Sequence, residues 1–196
     1  MTKDSRKPVI DFTSEITERT IHFTGREWVF KIINGWLASP QQSRFFLLKG
    51  EPGIGKTAIS ARLSQFSQGM LPPVGMSYLT PNFLSAIHFC SARNSLSIDP
   101  FVFINSIATQ FANRYPSFYK MIKDVHSDQD IQINVRQHVQ EVNGQVIGVV
   151  INVNAPSPVS AFNRVVRQPL EALLDEERGQ IVILDNRDLH NSSCFP

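Results

Sequence analysis

The stretch Gly50-Glu51-Pro52-Gly53-Ile54-Gly55-Lys56-Thr57, GEPGIGKT, follows the apolar run Phe45-Phe46-Leu47-Leu48 and fits the spacing G-x-x-x-x-G-K-[ST]. Its physical reading is a loop that binds phosphate. Successive backbone N–H groups of a tight glycine turn converge on one point, and the N-terminus of the following helix adds partial positive charge there. Side chains would obstruct that approach, so Gly53 and Gly55 supply the unusual backbone angles. Lys56 reaches the outer phosphates of a nucleotide as a point charge, and the Thr57 hydroxyl is placed to coordinate Mg²⁺. Gly50, Glu51, Pro52, Ile54 and Ala58 complete the expected cradle. Downstream, Ile59, Leu63 and Phe66 recur on one helical face, so strand, loop and helix are expected in the order the motif requires.

Outward from this loop the pattern alternates between strands and helices. Residues 1–20 are a polar lead, and residues 21–196 form the expected domain. Phe23-Thr24-Gly25-Arg26-Glu27 opens an amphipathic helix in which Trp28, Val29, Ile32, Ile33, Trp36 and Leu37 recur at helical spacing. After a turn-rich loop at 71–82, residues 83–90 read as a second, buried strand. Asp99-Pro100 has the form of an N-cap followed by a first-turn proline. Phe101, Ile104, Ile107, Ala108 and Phe111 then predict a helix that stops at Tyr115-Pro116. Ile131, Ile133 and Val135 alternate with polar residues, and Asn143-Gly144 precedes Val146-Ile147-Gly148-Val149-Val150-Ile151, which predicts an antiparallel hairpin at a sheet edge or as a projecting ribbon. Residues 155–160 read as a linker before a helix carrying Phe162, Val165, Val166, Leu170, Leu173 and Leu174, with Pro169 as a kink. Gln180-Ile181-Val182-Ile183-Leu184-Asp185 is an apolar strand ending in an acid, the form of a Walker B strand whose carboxylate holds the metal directly or through water.

Bulk properties narrow the function classes. The 196 residues give room for one α/β domain, and 42% hydrophobic content with 14 Phe argues for a folded core. A formal charge of +2 offers no basic stripe, so nucleic acid is not an expected partner. Two cysteines, Cys90 and Cys194, suit a reducing compartment. With no h-region in the first 20 residues and no apolar run near eighteen residues, a cytoplasmic protein with no membrane partner is expected.

Four stretches together resemble a known family: FTGRE at 23–27, GEPGIGKT at 50–57, AIHFCSARNSLSIDPFVFINSIATQFANRYP at 86–116 and AFNRVVRQPLEALL at 161–174. They are similar to the nucleotide-binding region of STAND-class P-loop NTPases, the NACHT-like signalling ATPases, and to the N-terminal NTPase of nephrocystin-type proteins. The resemblance spans roughly residues 20–184. It implies an α/β P-loop NTPase fold of the AAA-like kind, with a parallel sheet flanked by helices and the hairpin as an insertion. It also implies ATP and Mg²⁺ as cofactors, slow hydrolysis, and a nucleotide-driven switch in signal transduction that controls assembly of the domain with copies of itself. By the same resemblance Lys56 and Asp185 carry catalysis, Thr57 and Asp185 the metal, and Gly25-Arg26 lines the nucleotide pocket. The end departs from the family's pattern, in which the Walker B acid leads into further acids. Here Asp185 is followed by Asn186, Arg187 and Asp188, and the expectation is a domain incomplete at its C-terminus.

Other residues read more plainly. Arg26 either touches nucleotide or caps the Trp28 helix, and Glu27 is a first-turn acid facing the helix dipole. The five histidines are scattered without metal-ligand spacing. Asp175, Glu176 and Glu177 read as a solvated helix end. Whether hydrolysis follows binding is open on sequence alone. A competent metabolic or DNA-processing ATPase and a non-functional remnant are the alternative readings.

Overall fold

The computed structural model describes residues 10–39, 45–91, 94–124, 132–142, 145–176 and 183–186. Ala92-Arg93, the Asn143-Gly144 turn, Gln180-Ile181-Val182, Arg187 and Asp188 therefore lie outside the described residues. The chain divides into two compact units, and the boundary runs through one strand between Ile87 and His88.

The unit that carries the GEPGIGKT loop comprises residues 11–87 and 180–186. Helix α1 (Thr13–Thr20) occupies part of the stretch read as a polar lead, burying Phe12, Ile16 and Thr20. Asp11 opens it: its Oδ1 accepts the Thr13 hydroxyl at 2.6 Å and the Thr13 amide at 2.9 Å, and these bonds hold its carboxyl below the usual carboxylate range. Helix α2 (Glu27–Ala38) buries Val29, Phe30, Ile33 and Leu37. The expected stripe is shifted: Trp28 and Ile32 are 60% and 52% exposed, because Phe30 rather than Trp28 packs edge-on to Phe66 with ring centroids 5.2 Å apart. Helix α3 (Lys56–Ser67) turns Ile59, Leu63 and Phe66 into the same core, as their spacing predicts.

The expected strand Phe45-Phe46-Leu47-Leu48 forms no ladder among the described residues. Its side chains nevertheless alternate: Phe46 and Leu48 pack on the core, while Phe45 and Leu47 stand 86% and 62% exposed. The period of two that a strand requires is therefore kept. The second expected strand is present but shorter, as β1 (Ala86–Phe89).

The other unit, residues 88–179 among the described ones, is built around α4 (Pro100–Arg114). Asp99 caps it as expected, its Oδ1 accepting from the amides of Phe101 at 2.8 Å and Val102 at 3.2 Å, with Pro100 at the first helical position. Tyr115 ends α4, and Pro116 begins α5 (Pro116–Asp124). Strands β2 (Gln132–Val142) and β3 (Gln145–Asn154) form the expected antiparallel hairpin, with a register irregularity between Gln137 and Gln140.

One edge of β3 faces α4. The amides of Val149, Ile151 and Val153 donate to Asn113 Oδ1 at 2.9 Å, Thr109 Oγ1 at 3.0 Å and Asn105 Oδ1 at 2.9 Å, and Asn113 Nδ2 returns a bond to the Val149 carbonyl at 2.7 Å. Four helical residues rise about 6 Å. Two strand residues rise about 6.7 Å. The two repeats match, so a polar stripe at i, i+4 and i+8 can serve every second strand amide.

The residues read as a linker include the start of α6 (Pro158–Phe162), with Ser157 as its N-cap. A π turn (Asn163–Arg167) leads into α7 (Gln168–Glu176). Pro169 explains this turn: it has no amide to give the Val165 carbonyl, and the neighbouring Gln168 N–H reaches back five residues to Asn163. The last strand, β4 (Ile183–Asn186), pairs with β1 and lies against α3.

Candidate functional site

Residues 50–58 wrap the head of α3. Gly53 and Gly55 take φ of +84° and +96°, the left-handed region that an L side chain resists, and Gly55 is the N-cap of the helix. At Gly50 an added Cβ would meet the end of the exposed Ile54 side chain, which would have to turn aside. Glu51, Pro52 and Ile54 are exposed, and Gly55, Lys56, Thr57 and Ala58 are half-buried. The loop thus presents backbone outward at the point where the helix begins.

Two features place hydrogen-bond donors at this point. No side chain caps α3, and its first intrahelical amide bond is Ile59 N to Gly55 O at 3.0 Å, so the amides of Lys56, Thr57 and Ala58 have no acceptor within the helix. The Lys56 ammonium folds over the loop, donating to the carbonyls of Gly50 at 2.9 Å and Glu51 at 3.0 Å. An ammonium carries three protons, so one is left for a phosphate oxygen. The two bonds fix where the charge sits before any ligand arrives.

The remaining predicted residues fall at different depths. Thr57 is the second residue of α3, where a hydroxyl can serve a metal beside the loop. Asp185 lies in β4, in the same unit as the loop and on a strand packed against α3. Gly25 and Arg26 both take positive φ, +70° and +64°, and Arg26 is the N-cap of α2, its carbonyl accepting the Val29 amide at 3.0 Å. That capping role is one of the two alternatives open from sequence. Glu27 stands in the first turn of α2. His88 is a buried strand residue, its Nε2 2.8 Å from the Ser97 carbonyl and its ring edge-on to Phe103. Among the described residues no group of three His, Cys, Asp or Glu is placed to hold a metal ion. Open helix amides and a positioned ammonium are therefore donors suited to a polyphosphate, with any metal held jointly by the phosphates and few protein oxygens.

Arg62, on the helix that follows the loop, drew no notice in the sequence. Its guanidinium donates to the carbonyls of Thr20 at 3.3 Å and Phe23 at 3.5 Å and to Met70 Sδ, and it lies 5.1 Å from the Phe23 ring centroid. One turn on, Gln65 Nε2 donates to Thr20 Oγ1 at 2.8 Å. Thr20 and Phe23 lie 39 to 45 residues before these side chains, so no local pattern could point to them.

No described helix is long and apolar enough to cross a membrane. No curated protein and no solved structure matches the chain. The family model described as Nephrocystin 3, N-terminal, matches residues 25–159, more than half of the chain, from Gly25-Arg26 through the GEPGIGKT loop and the hairpin but ending before Asp185. The chain belongs to the nephrocystin 3 N-terminal family.

Proposed function

We propose that this chain binds Mg²⁺–ATP through residues 50–58, as a NACHT-like module of the STAND type that uses nucleotide occupancy as a switch and hydrolyses slowly or not at all. The observation that carries this reading is the Lys56 ammonium held on the Gly50 and Glu51 carbonyls above the uncapped start of α3. In this reading the loop amides and Lys56 would neutralise the phosphates, and Thr57 and Asp185 would hold Mg²⁺, which would supply charge neutralisation at the phosphates. The fold proposed with it is an α/β P-loop NTPase with the hairpin β2–β3 as an insertion. Membership of the nephrocystin 3 N-terminal family is compatible with such a module.

Hydrolysis needs an additional group that orients water, and the residue that follows Asp185 is Asn186 and not an acid. A calorimetric titration with Mg²⁺–ATP, with phosphate release followed in the same sample, tests the reading. Heat of binding with release far slower than the roughly 1–100 s⁻¹ of efficient phosphoryl-transfer enzymes is the expected result. Rapid release would replace the switch with an active ATPase. Light scattering with and without Mg²⁺–ATP checks the self-association that belongs to the same proposal.

A further inference from the structure

We propose that Arg62 is a positioning residue that links docking of α1 to loading of the phosphate loop; the inference rests on the nucleotide-binding reading above. Helix α1 has eight residues, too few to hold a helix alone in water. It persists because α3 receives it: Ile16 and Thr20 are buried, and at the α1 C-terminus two α3 side chains add to the local bonds of the Thr20 hydroxyl and the Phe23 amide. Arg62 adds a second donor to the carbonyl of Thr20, the last residue of α1, which also accepts the Phe23 amide at 3.1 Å, and places positive charge at the negative end of that helix. Its second bond, to the Phe23 carbonyl, and its stacking on the Phe23 ring fix the chain as it leaves α1 toward Gly25 and Arg26. Gln65 completes the grip through the Thr20 hydroxyl.

The same helix α3 carries the anion site at its head, six residues and about 9 Å before Arg62. An anion on the uncapped amides stabilises the first turns of α3. Those turns support the surface on which α1 docks, so whatever orders α3 favours docked α1. Linkage then requires the converse: loss of the Arg62 grip weakens nucleotide binding by the factor with which nucleotide strengthens docking.

Hydrogen exchange of the α1 amides, measured with and without Mg²⁺–ATP on the full chain, tests the link together with calorimetry. In the wild type, Mg²⁺–ATP should slow exchange across α1 by about fivefold or more, the lower end of ordinary coupling between sites. Arg62→Met should leave α1 exchanging fast with or without nucleotide, weaken Mg²⁺–ATP by a matching factor, and leave protection of the α2 amides intact. Arg62→Lys, which keeps the charge but loses the second guanidinium nitrogen on Met70 Sδ and the planar contact with the Phe23 ring, should fall between them and guards against a simple folding defect in the methionine variant. Wild-type protein that binds Mg²⁺–ATP with α1 exchange unchanged would overturn the link while leaving the site standing. Absence of binding in the wild type would overturn the site and the link with it.

Discussion

Strand β3 and the segment Phe45-Phe46-Leu47-Leu48 both alternate their side chains, and they differ in the strand ladder seen among the described residues. Each β3 amide that points away from β2 at Val149, Ile151 and Val153 is taken by a side chain of α4, and all three residues are buried. The 45–48 segment buries one side on the core and leaves the other exposed, with no ladder among the described residues. An extended segment becomes a settled strand only when its backbone polar groups are received, by another strand or by side chains spaced to imitate one. The hairpin unit has these β3 amides taken within itself. The unit with open amides, at the head of α3, has something to offer a ligand.

The largest expected effect that would sharpen this contrast is loss of a buried anchor. Phe30→Ala, which empties the contact with Phe66 and Phe23 in the loop-bearing unit, should cost about 3–5 kcal/mol in denaturant unfolding and reduce nucleotide binding with it. Ile151→Ala in the hairpin unit should cost about 2–5 kcal/mol. Its nucleotide affinity should be unchanged in conditions where the protein stays folded, and a changed affinity would argue against confining the site to the loop-bearing unit. Next in size is Asn113→Ala, which strands the Val149 amide and carbonyl together. A cost of about 1–3 kcal/mol is expected, and a neutral result would mean that the α4 stripe does not hold β3. The double change Phe45→Ser, Leu47→Thr should shift stability by no more than about 0.5 kcal/mol, because both side chains are already in water. A large loss would show that the segment is covered in solution.

The smallest effect concerns Asp11. Its pKa is depressed in the folded state by the Thr13 hydroxyl and amide, so its contribution is present above the unfolded pKa and disappears as pH falls through the folded one. Asp11→Asn should lower stability slightly at neutral pH, leave it unchanged in strong acid and so flatten that acid limb, the effect being small because the residue is exposed.

Local signals carried much of this architecture into the sequence. Asp99-Pro100 announces α4 because capping is chemistry between neighbours. The hairpin is legible from its alternation, and the GEPGIGKT loop from its glycines, whose positive φ values no other residue supplies cheaply. What the sequence hid depends on distant partners. Helix α1 reads as polar lead because only Ile16 marks its apolar side, and Arg62 and Gln65 add to the bonds at its C-terminus. Trp28 and Ile32 share a helical face but lose the core to Phe30, a choice made by Phe66 and not by spacing. Asn105, Thr109 and Asn113 look like polar interruptions in an apolar helix until β3 supplies amides at the same repeat.

The central claim is that Lys56 and the open amides of α3 form a nucleotide phosphate site. The most direct test is a pair of calorimetric titrations with Mg²⁺–ATP, one on the wild type and one on Lys56→Ala, with thermal unfolding of both recorded beforehand. The account predicts saturable binding to the wild type and affinity lower by roughly tenfold or more in the variant, at unchanged unfolding temperature. Equal affinity in the two proteins would contradict it.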